Sequence, residues 1–164
     1  MENVHHRAHA HHGPHTAGGA VSLNRIAISA TVHCLTGCAI GEVAGMVIGT
    51  ALGWSNLETV ALAVVLAFVS GFALTVIPLL RHGSTLRAAL RIALAADTAS
   101  VAIMELVDNA IMLAIPGAME APLDSVLFWA SLGASLVIAG VAAFPVNRWL
   151  IARGRGHALV HANH

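Results

Sequence analysis

Four long apolar runs constrain the fold of this chain more than any other feature of its sequence. A transmembrane helix needs about 20 consecutive, mostly apolar residues, and each run exceeds that length. Inside a bilayer such a run folds as a helix, because only internal hydrogen bonds can satisfy its backbone. The sequence therefore predicts an all-α polytopic membrane protein with four transmembrane helices, at about residues 26–52, 57–80, 86–115 and 125–151.

The overall composition agrees with a membrane protein. Hydrophobic residues make up 57% of the chain, charged residues make up 10%, and the mean hydropathy is +0.80. Soluble domains carry about 25% charged residues, so this chain lies far outside their range. The formal net charge is zero, and nothing in the charge balance predicts nucleic-acid binding.

The segments outside the four runs divide the rest of the chain. Residues 1–21 are rich in histidine and glycine and lack apolar periodicity, so we predict a disordered cytoplasmic tail. Such a tract can bind Zn, Ni or Cu loosely, and a merely soluble tail is an equally good interpretation. Residues 22–152 form the predicted four-helix transmembrane domain, and residues 153–164 form a cytoplasmic C-terminal tail.

Arginine placement predicts the orientation of the helices. The chain has no lysine, and its arginines stand beside both termini and around the connection between the second and third runs. The other two connections, residues 53–56 and 116–124, contain no arginine. Because positive residues mark cytoplasmic loops, we predict that both termini and the middle connection are cytoplasmic. The arginines are Arg7, Arg25, Arg81, Arg87, Arg91, Arg148, Arg153 and Arg155.

The first run contains polar side chains that are costly in a membrane. Cys34, Cys38 and Glu42 are spaced four apart, so they lie one above another on a slowly drifting stripe. Two thiols one turn apart on a regular helix are poorly placed for a structural disulfide, and we interpret them as free thiols or metal ligands. Glycines at the same spacing allow close helix approach, so packing is the alternative interpretation of this face. These glycines are Gly37, Gly41, Gly45 and Gly49.

The third run contains a second polar stripe. Asp97, Met104, Asp108 and Met112 fall on one helical face, with Glu105 beside them. In the predicted topology the first and third runs cross the membrane in the same direction, so their depths can be compared. Two polar stripes at matching depth indicate one shared pathway or site. The predicted neighbours are Asp97 to Ser100 for Cys34, Met104 and Glu105 for Cys38, and Asp108 for Glu42.

Four carboxyl groups lie in these two stripes without an arginine at their depth, and only His33 could act as a basic partner. A carboxylate near the bilayer centre costs about 2.5–3.5 kcal/mol, so four unpaired ones would cost on the order of 10 kcal/mol. The groups must therefore be protonated, reached by water or bound to a cation. Protons and cations compete for the same oxygens, and proton-coupled metal transport requires that competition.

The types of ligand predict a soft metal ion. Thiols and thioethers select Cu(I), with Zn as the second choice, whereas carboxylates alone would select hard ions such as Mg or Mn. We expect Cys34, Cys38 and Met104 to form the soft site, although each methionine taken singly is more often core filler. His33 points about 100° away from Cys34, towards another helix or a neighbouring subunit. The full predicted metal set is Cys34, Cys38, Met104, Glu105, Glu42, Asp108, His33, Asp97 and Met112.

Three motifs together resemble a known family. They are His33-Cys34-x-x-Gly37-Cys38-x-x-Gly41-Glu42, Met104-Glu105-x-x-Asp108-Asn109 and Pro145-x-Asn147-Arg148-Trp149-Leu150. The chain resembles, over residues 29–157, an uncharacterised bacterial membrane family filed as a domain of unknown function. The resemblance implies a small, multi-pass protein of the bacterial inner membrane that is associated with copper handling, and it supplies no catalytic residues. The cysteine pair also resembles that of small mercury-uptake proteins, but nothing else matches them.

These observations predict a homo-oligomer in the lipid bilayer that binds and transports a soft transition-metal ion, above all copper, and has no enzymatic activity. Glu42, Glu105 and Asp108 would form an outer or proton-coupling group, and Asp97 would lie on the cytoplasmic side. A membrane redox protein that exchanges electrons with a quinone or haem is the first alternative, although the spacing is C-x-x-x-C rather than C-x-x-C. A membrane assembly factor, whose stripes dock a partner protein, is the second alternative.

Overall fold

The computed structural model describes residues 22–153, and this part of the chain is a bundle of four α-helices without a strand. The helices are α1, Leu23–Leu52; α2, Asn56–Arg81; α3, Leu86–Ala114; and α4, Val126–Ala152. The predicted all-α fold is confirmed for these residues. The histidine-rich residues 1–21 and the terminal residues 154–164 lie outside the described part, so the predictions for both tails stay predictions.

Each helix starts where the sequence provides a capping side chain. The residue before the first turn is a serine or threonine, and its oxygen accepts a hydrogen bond from the backbone N–H three residues later. This bond satisfies one of the donors that a helix N-terminus leaves free. At the other end of α1, Gly53 has a φ of 66°, a left-handed conformation that favours glycine. The four N-caps are Ser22, Ser55, Thr85 and Ser125.

The helices follow one another around the bundle in chain order. α1 packs against α2 and α4, and α3 packs against the same two helices. The connections make consecutive helices antiparallel, so α1 and α3 run parallel. These two helices also touch each other across the bundle diagonal. The polar stripes of α1 and α3 consequently face each other inside the bundle.

Small residues face each other along the contact between α1 and α2, which we call the α1–α2 seam. A Cβ added to Gly41 would collide with the backbone nitrogen of Ala67, and one added to Gly37 would lie 2.6 Å from the Cα of Gly71. The prediction that these glycines admit a neighbouring helix is therefore confirmed, and the neighbour is α2. The facing pairs are Gly37 with Gly71, Gly41 with Ala67, Gly45 with Ala63, and Gly49 with Thr59.

Three of the helices, α1, α2 and α4, are long and apolar enough to cross a membrane. α3 is also long enough, at 29 residues, but it is interrupted by charged side chains. The helices therefore fit a polytopic membrane protein, while four spans stay a prediction. The charged residues of α3 are Arg87, Arg91, Asp97, Glu105 and Asp108.

Candidate functional site

Two contacts between α1 and α3 set the register of the bundle core. The Sγ atom of Cys34 lies 3.8 Å from Oδ1 of Asp97, and the Sγ atom of Cys38 lies 4.0 Å from Sδ of Met104. The residue numbers rise together on the two helices, as a parallel arrangement requires. These are the partners that the matching depths of the two stripes predict.

The sulfur layer, which consists of Cys34, Cys38 and Met104, lies near the midpoints of α1 and α3. Each of these side chains is 1% exposed, and both thiols are free. A zinc–sulfur bond is about 2.3 Å long, so two sulfurs that share a metal ion of similar size lie at most about 4.6 Å apart. The 4.0 Å between Cys38 Sγ and Met104 Sδ is inside that limit. Cys38 and Met104 can therefore share a soft ion without a large movement of the helices.

His33 reaches the same core through Thr75 on α2. Nε2 of His33 lies 3.0 Å from Oγ1 of Thr75, and that hydroxyl donates to Oδ2 of Asp97 at 2.7 Å. When Asp97 is ionised, Thr75 uses its one hydroxyl hydrogen on the carboxylate and accepts the Nε2–H of His33. Asp97 is fully buried and also receives the thiol of Cys34 at its other oxygen. One chain of contacts therefore joins three helices at the cytoplasmic side of the sulfur layer in the predicted orientation.

Sequence reasoning missed Thr75, although a signal for it exists. Thr75 continues the four-residue spacing of small α2 residues that runs from Thr59 to Gly71. That spacing places its hydroxyl on the face of α2 that packs in the bundle. A threonine in an apolar run is nevertheless a common helix residue, so the spacing alone does not single it out.

The acid layer, which consists of Glu42, Glu105 and Asp108, extends from the sulfur layer to about one helical turn beyond it. Its side chains are 3%, 4% and 3% exposed, respectively. Asp108 accepts a hydrogen bond from the hydroxyl of Ser135 on α4. Both carboxyl oxygens of Glu42 and of Glu105 are buried without a hydrogen-bond partner among residues 22–153. Ser135 was also missed, because a serine in an apolar run does not reveal which helix it faces.

The acid layer lacks a permanent counter-charge among the described residues. The arginines of residues 22–153 lie near the helix ends and are all exposed. Glu42 instead lies close to Asp108 and Glu105, which carry the same sign of charge when ionised. A buried carboxylate without a partner is strongly unfavourable, so protons or a bound cation must supply the missing positive charge.

Two other polar or soft residues of α3 occupy different places. Met112 is buried, but it lies two turns beyond Met104, about 12 Å along the helix axis. It is therefore separate from the sulfur layer. Asn109 donates from Nδ2 to the backbone oxygen of Glu105 at 2.9 Å, so its amide is engaged within its own helix.

Within residues 22–153, no three side chains of histidine, cysteine, aspartate or glutamate lie together as the ligands of one metal ion would. The predicted metal set is spread over successive levels of the core instead of surrounding one point. In order along α1, these levels are His33 with Asp97, the sulfur layer and the acid layer, and Met112 lies beyond them. The arrangement provides soft and hard ligands in sequence along the bundle axis.

The fold and these levels define a class of protein, a membrane-type helical bundle with thiols and carboxyl groups buried in its core. The chain belongs to a family described as a domain of unknown function (DUF4396), whose model matches residues 24–156. No curated protein and no solved structure matches the chain. The resemblance to an uncharacterised family is confirmed, and the association with copper stays a prediction.

Proposed function

We propose that this protein is an integral membrane protein that binds a soft transition-metal ion, above all Cu(I), and moves it across the bilayer. The observation that carries the proposal is the contact of a free thiol with a thioether in the bundle core, beside carboxyl groups without partners. Packing does not explain Glu42 or Glu105, because apolar side chains of similar volume would fill the same space at lower cost.

In this proposal all four helices cross the membrane, α3 included. The acids of α3 are buried inside the bundle, whereas large leucines cover its outer surface. Leu106 and Leu113 are 73% and 72% exposed. Polar groups that face a bundle interior are typical of transmembrane helices. The orientation follows the arginines, with both termini on the cytoplasmic side.

The sulfur layer favours Cu(I) over the alternatives. Thiolate and thioether are soft ligands, and Cu(I) accepts few ligands, so a small set of sulfurs suffices. Structural zinc sites use four protein ligands, and the described residues provide no group of that kind built from His, Cys, Asp and Glu. Met104 adds to this preference because hard ions bind thioethers poorly.

The acid layer supports movement of the ion rather than storage. Glu42 and Glu105 offer buried oxygens that accept no hydrogen bond from residues 22–153, on the outer side of the sulfur layer in the predicted orientation. A cation that passes this level replaces the protons that the carboxyl groups would otherwise hold. Asp97 offers a carboxyl group on the cytoplasmic side. The exchange of cation for proton provides the coupling that the sequence predicts.

The metal content of purified protein tests the binding step. Cells grown with added copper would supply the wild type and the Cys34→Ser/Cys38→Ser variant, both purified without a histidine tag and assayed for copper and zinc. We expect the variant to lose about one copper ion per chain, because its hydroxyls are poor ligands for a soft ion. Any metal bound by the histidine-rich segment is the same in both proteins, so it cancels in the difference between their metal contents. Equal copper and zinc contents would refute the proposal.

Reconstitution into liposomes tests the transport step. A Cu(I)-responsive dye inside the vesicles would report uptake under reducing conditions. We expect Glu42→Gln/Glu105→Gln to slow uptake about tenfold, because amides cannot exchange a proton for a cation. Glu58→Gln is the matched control, since Glu58 is exposed at the start of α2 and glutamine also supports its capping box. If Glu42→Gln/Glu105→Gln takes up Cu(I) at the wild-type rate, the acid layer is not part of the transport pathway.

A further inference from the structure

A small recess lies at the end of the bundle where α1 finishes and α2 begins. Its volume is about 60 Å³, and residues of the 115–125 connection close it from one side. In the predicted orientation this is the outer end of the protein. The recess residues that matter here are Met46, Thr50, Trp54, Asn56, Thr59 and Met119.

Contacts within the 115–125 connection hold it over the recess. Asn56 donates from Nδ2 to Oε1 of Glu120 at 3.4 Å, which ties the connection to the first turn of α2. Trp129 donates its indole N–H to the backbone oxygen of Leu123 at 2.8 Å. Ala118 is buried beneath the same segment. Met119, next to Ala118 and Glu120, is thereby placed on the wall of the recess.

The methionines of the described residues fall into two groups. Met104 and Met112 are buried in the bundle core. Met46 and Met119 are half-buried and line the recess together with the hydroxyls of two threonines. Methionine as core filler gains its stabilisation from full burial against apolar neighbours. Met46 and Met119 are half-buried in a recess that threonine and asparagine also line, so they gain less stabilisation from burial. Core filling therefore explains these two methionines poorly.

The register of α1 and α3 connects the recess with the acid layer. Cys38 faces Met104, and four residues further along each helix Glu42 and Asp108 lie close together. Four residues further again, the same register places Met46 at the level of Met112. A thioether therefore follows the acid layer on each helix, and Met119 lies beyond them at the recess.

We propose that Met46 and Met119 form a second metal site, made of thioethers alone, that captures a soft monovalent cation, Cu(I) or Ag(I), at the recess. Neutral thioethers select soft ions, need no deprotonation and release their ions readily, which suits a first binding step. The role as the first step of uptake rests on the proposed function. The binding of a soft cation at the recess rests only on the residues that line it.

Trp54 allows a direct test because it lines the same recess. The full-length protein would be titrated with Ag(I), which needs no reducing agent, and binding would be followed as quenching of tryptophan emission. The same titration of Trp54→Phe would identify the part of the quenching that comes from Trp54. We expect Met46→Leu/Met119→Leu to raise the Ag(I) concentration at which that quenching is half complete by about tenfold or more. Leucine conserves the volume of methionine, so the fold is retained.

The thiol variant separates this site from the proposed function. Cys34→Ser/Cys38→Ser should purify without bound copper yet keep the quenching of Trp54 by Ag(I). Met46→Leu/Met119→Leu should purify with bound copper yet need more Ag(I) for the quenching of Trp54. An unchanged Ag(I) concentration at half-saturation in the methionine variant would overturn the proposal, as would quenching that disappears in the thiol variant.

A measurement on the unaltered protein removes any dependence on the fold of a variant. Mild peroxide treatment followed by mass spectrometry reports sulfoxide formation at each methionine. Bound Ag(I) should slow the oxidation of Met46 and Met119 about tenfold and leave Met1 unchanged, because coordination draws electron density from the sulfur and makes it a weaker nucleophile towards the oxidant. Equal oxidation rates with and without Ag(I) at Met46 and Met119 would overturn the proposal.

Discussion

Two faces of α1 contact their neighbours in different ways. At the α1–α2 seam, Gly41 brings the helices so close that a single added carbon would collide with the backbone of α2. On the adjacent face, α1 turns long or reactive side chains towards α3, and Glu42 is buried there with both oxygens unpartnered. The seam has no room for a side chain on the glycines of α1, whereas the core accommodates groups that packing does not require.

The difference separates the parts of α1 that hold the fold from the parts that carry chemistry. Close approach of small residues stabilises helix pairs in a bilayer, where the hydrophobic effect between helices is absent. Buried carboxyl groups and thiols contribute little to that stability and can oppose it. Substitutions at the seam should therefore change the free energy of unfolding, and substitutions in the core should mainly change metal binding.

The largest expected effect is at the seam, for Gly41→Ala. The added Cβ would collide with the backbone nitrogen of Ala67, so the two backbones must separate. We expect the free energy of unfolding to fall by about 3 kcal/mol, measured as thermal unfolding in detergent. Gly133→Ala is the matched control, because an added Cβ there meets nothing within 4 Å. If both variants unfold at the same temperature, the seam is not as close as described.

An intermediate effect is expected for Thr75→Val, at the boundary between seam and core. The substitution removes the hydroxyl that donates to Asp97 and contacts His33, with little change of volume. We expect a loss of about 2 kcal/mol in the free energy of unfolding, because the bond serves a buried carboxyl group. Thr36→Val is the control, since its exposed hydroxyl bonds only the Val32 carbonyl of its own helix at 2.8 Å. Similar losses in both variants would show that the Asp97 contact adds nothing.

The smallest expected effect on stability is for Glu42→Leu, in the core. Removal of a buried carboxyl group without a partner should leave the free energy of unfolding unchanged or raise it by about 1 kcal/mol. Copper uptake into liposomes should nevertheless become slower, as expected for Glu42→Gln/Glu105→Gln. Ser135→Ala, which deprives Asp108 of its donor, should lower stability and serves as the contrasting variant. A clear loss of stability in Glu42→Leu would mean that its carboxyl group supports the fold.

The pairing of the two polar stripes could be predicted because it depends on local periodicity and direction. Cys38 and Met104 each lie near the middle of an apolar run, and the arginines indicate that both runs point the same way. These two facts set the depth of each residue to within about one helical turn. The observed contacts of Cys34 with Asp97 and of Cys38 with Met104 follow from them.

The partners of Asp97 and Asp108 could not be predicted in the same way. Thr75 and Ser135 belong to α2 and α4, the apolar helices whose polar residues are few and small. Which face such a helix turns inward depends on how it packs against two neighbours at once. Likewise, the sequence indicates that His33 faces another helix or subunit, and only the packed bundle shows that α2 is that neighbour.

The sequence by itself determined that the chain forms four helices, that α1 and α3 each carry a polar stripe, and that the glycines of α1 admit a close neighbour. These properties follow from apolar length, helical period and the size of single residues, all of which are local. The tertiary structure decided that the glycine face meets α2, that the polar face meets α3 across the diagonal, and that two carboxyl groups remain without partners. The reason is physical: the seam allows one close approach, and that approach decides where every other face of α1 points.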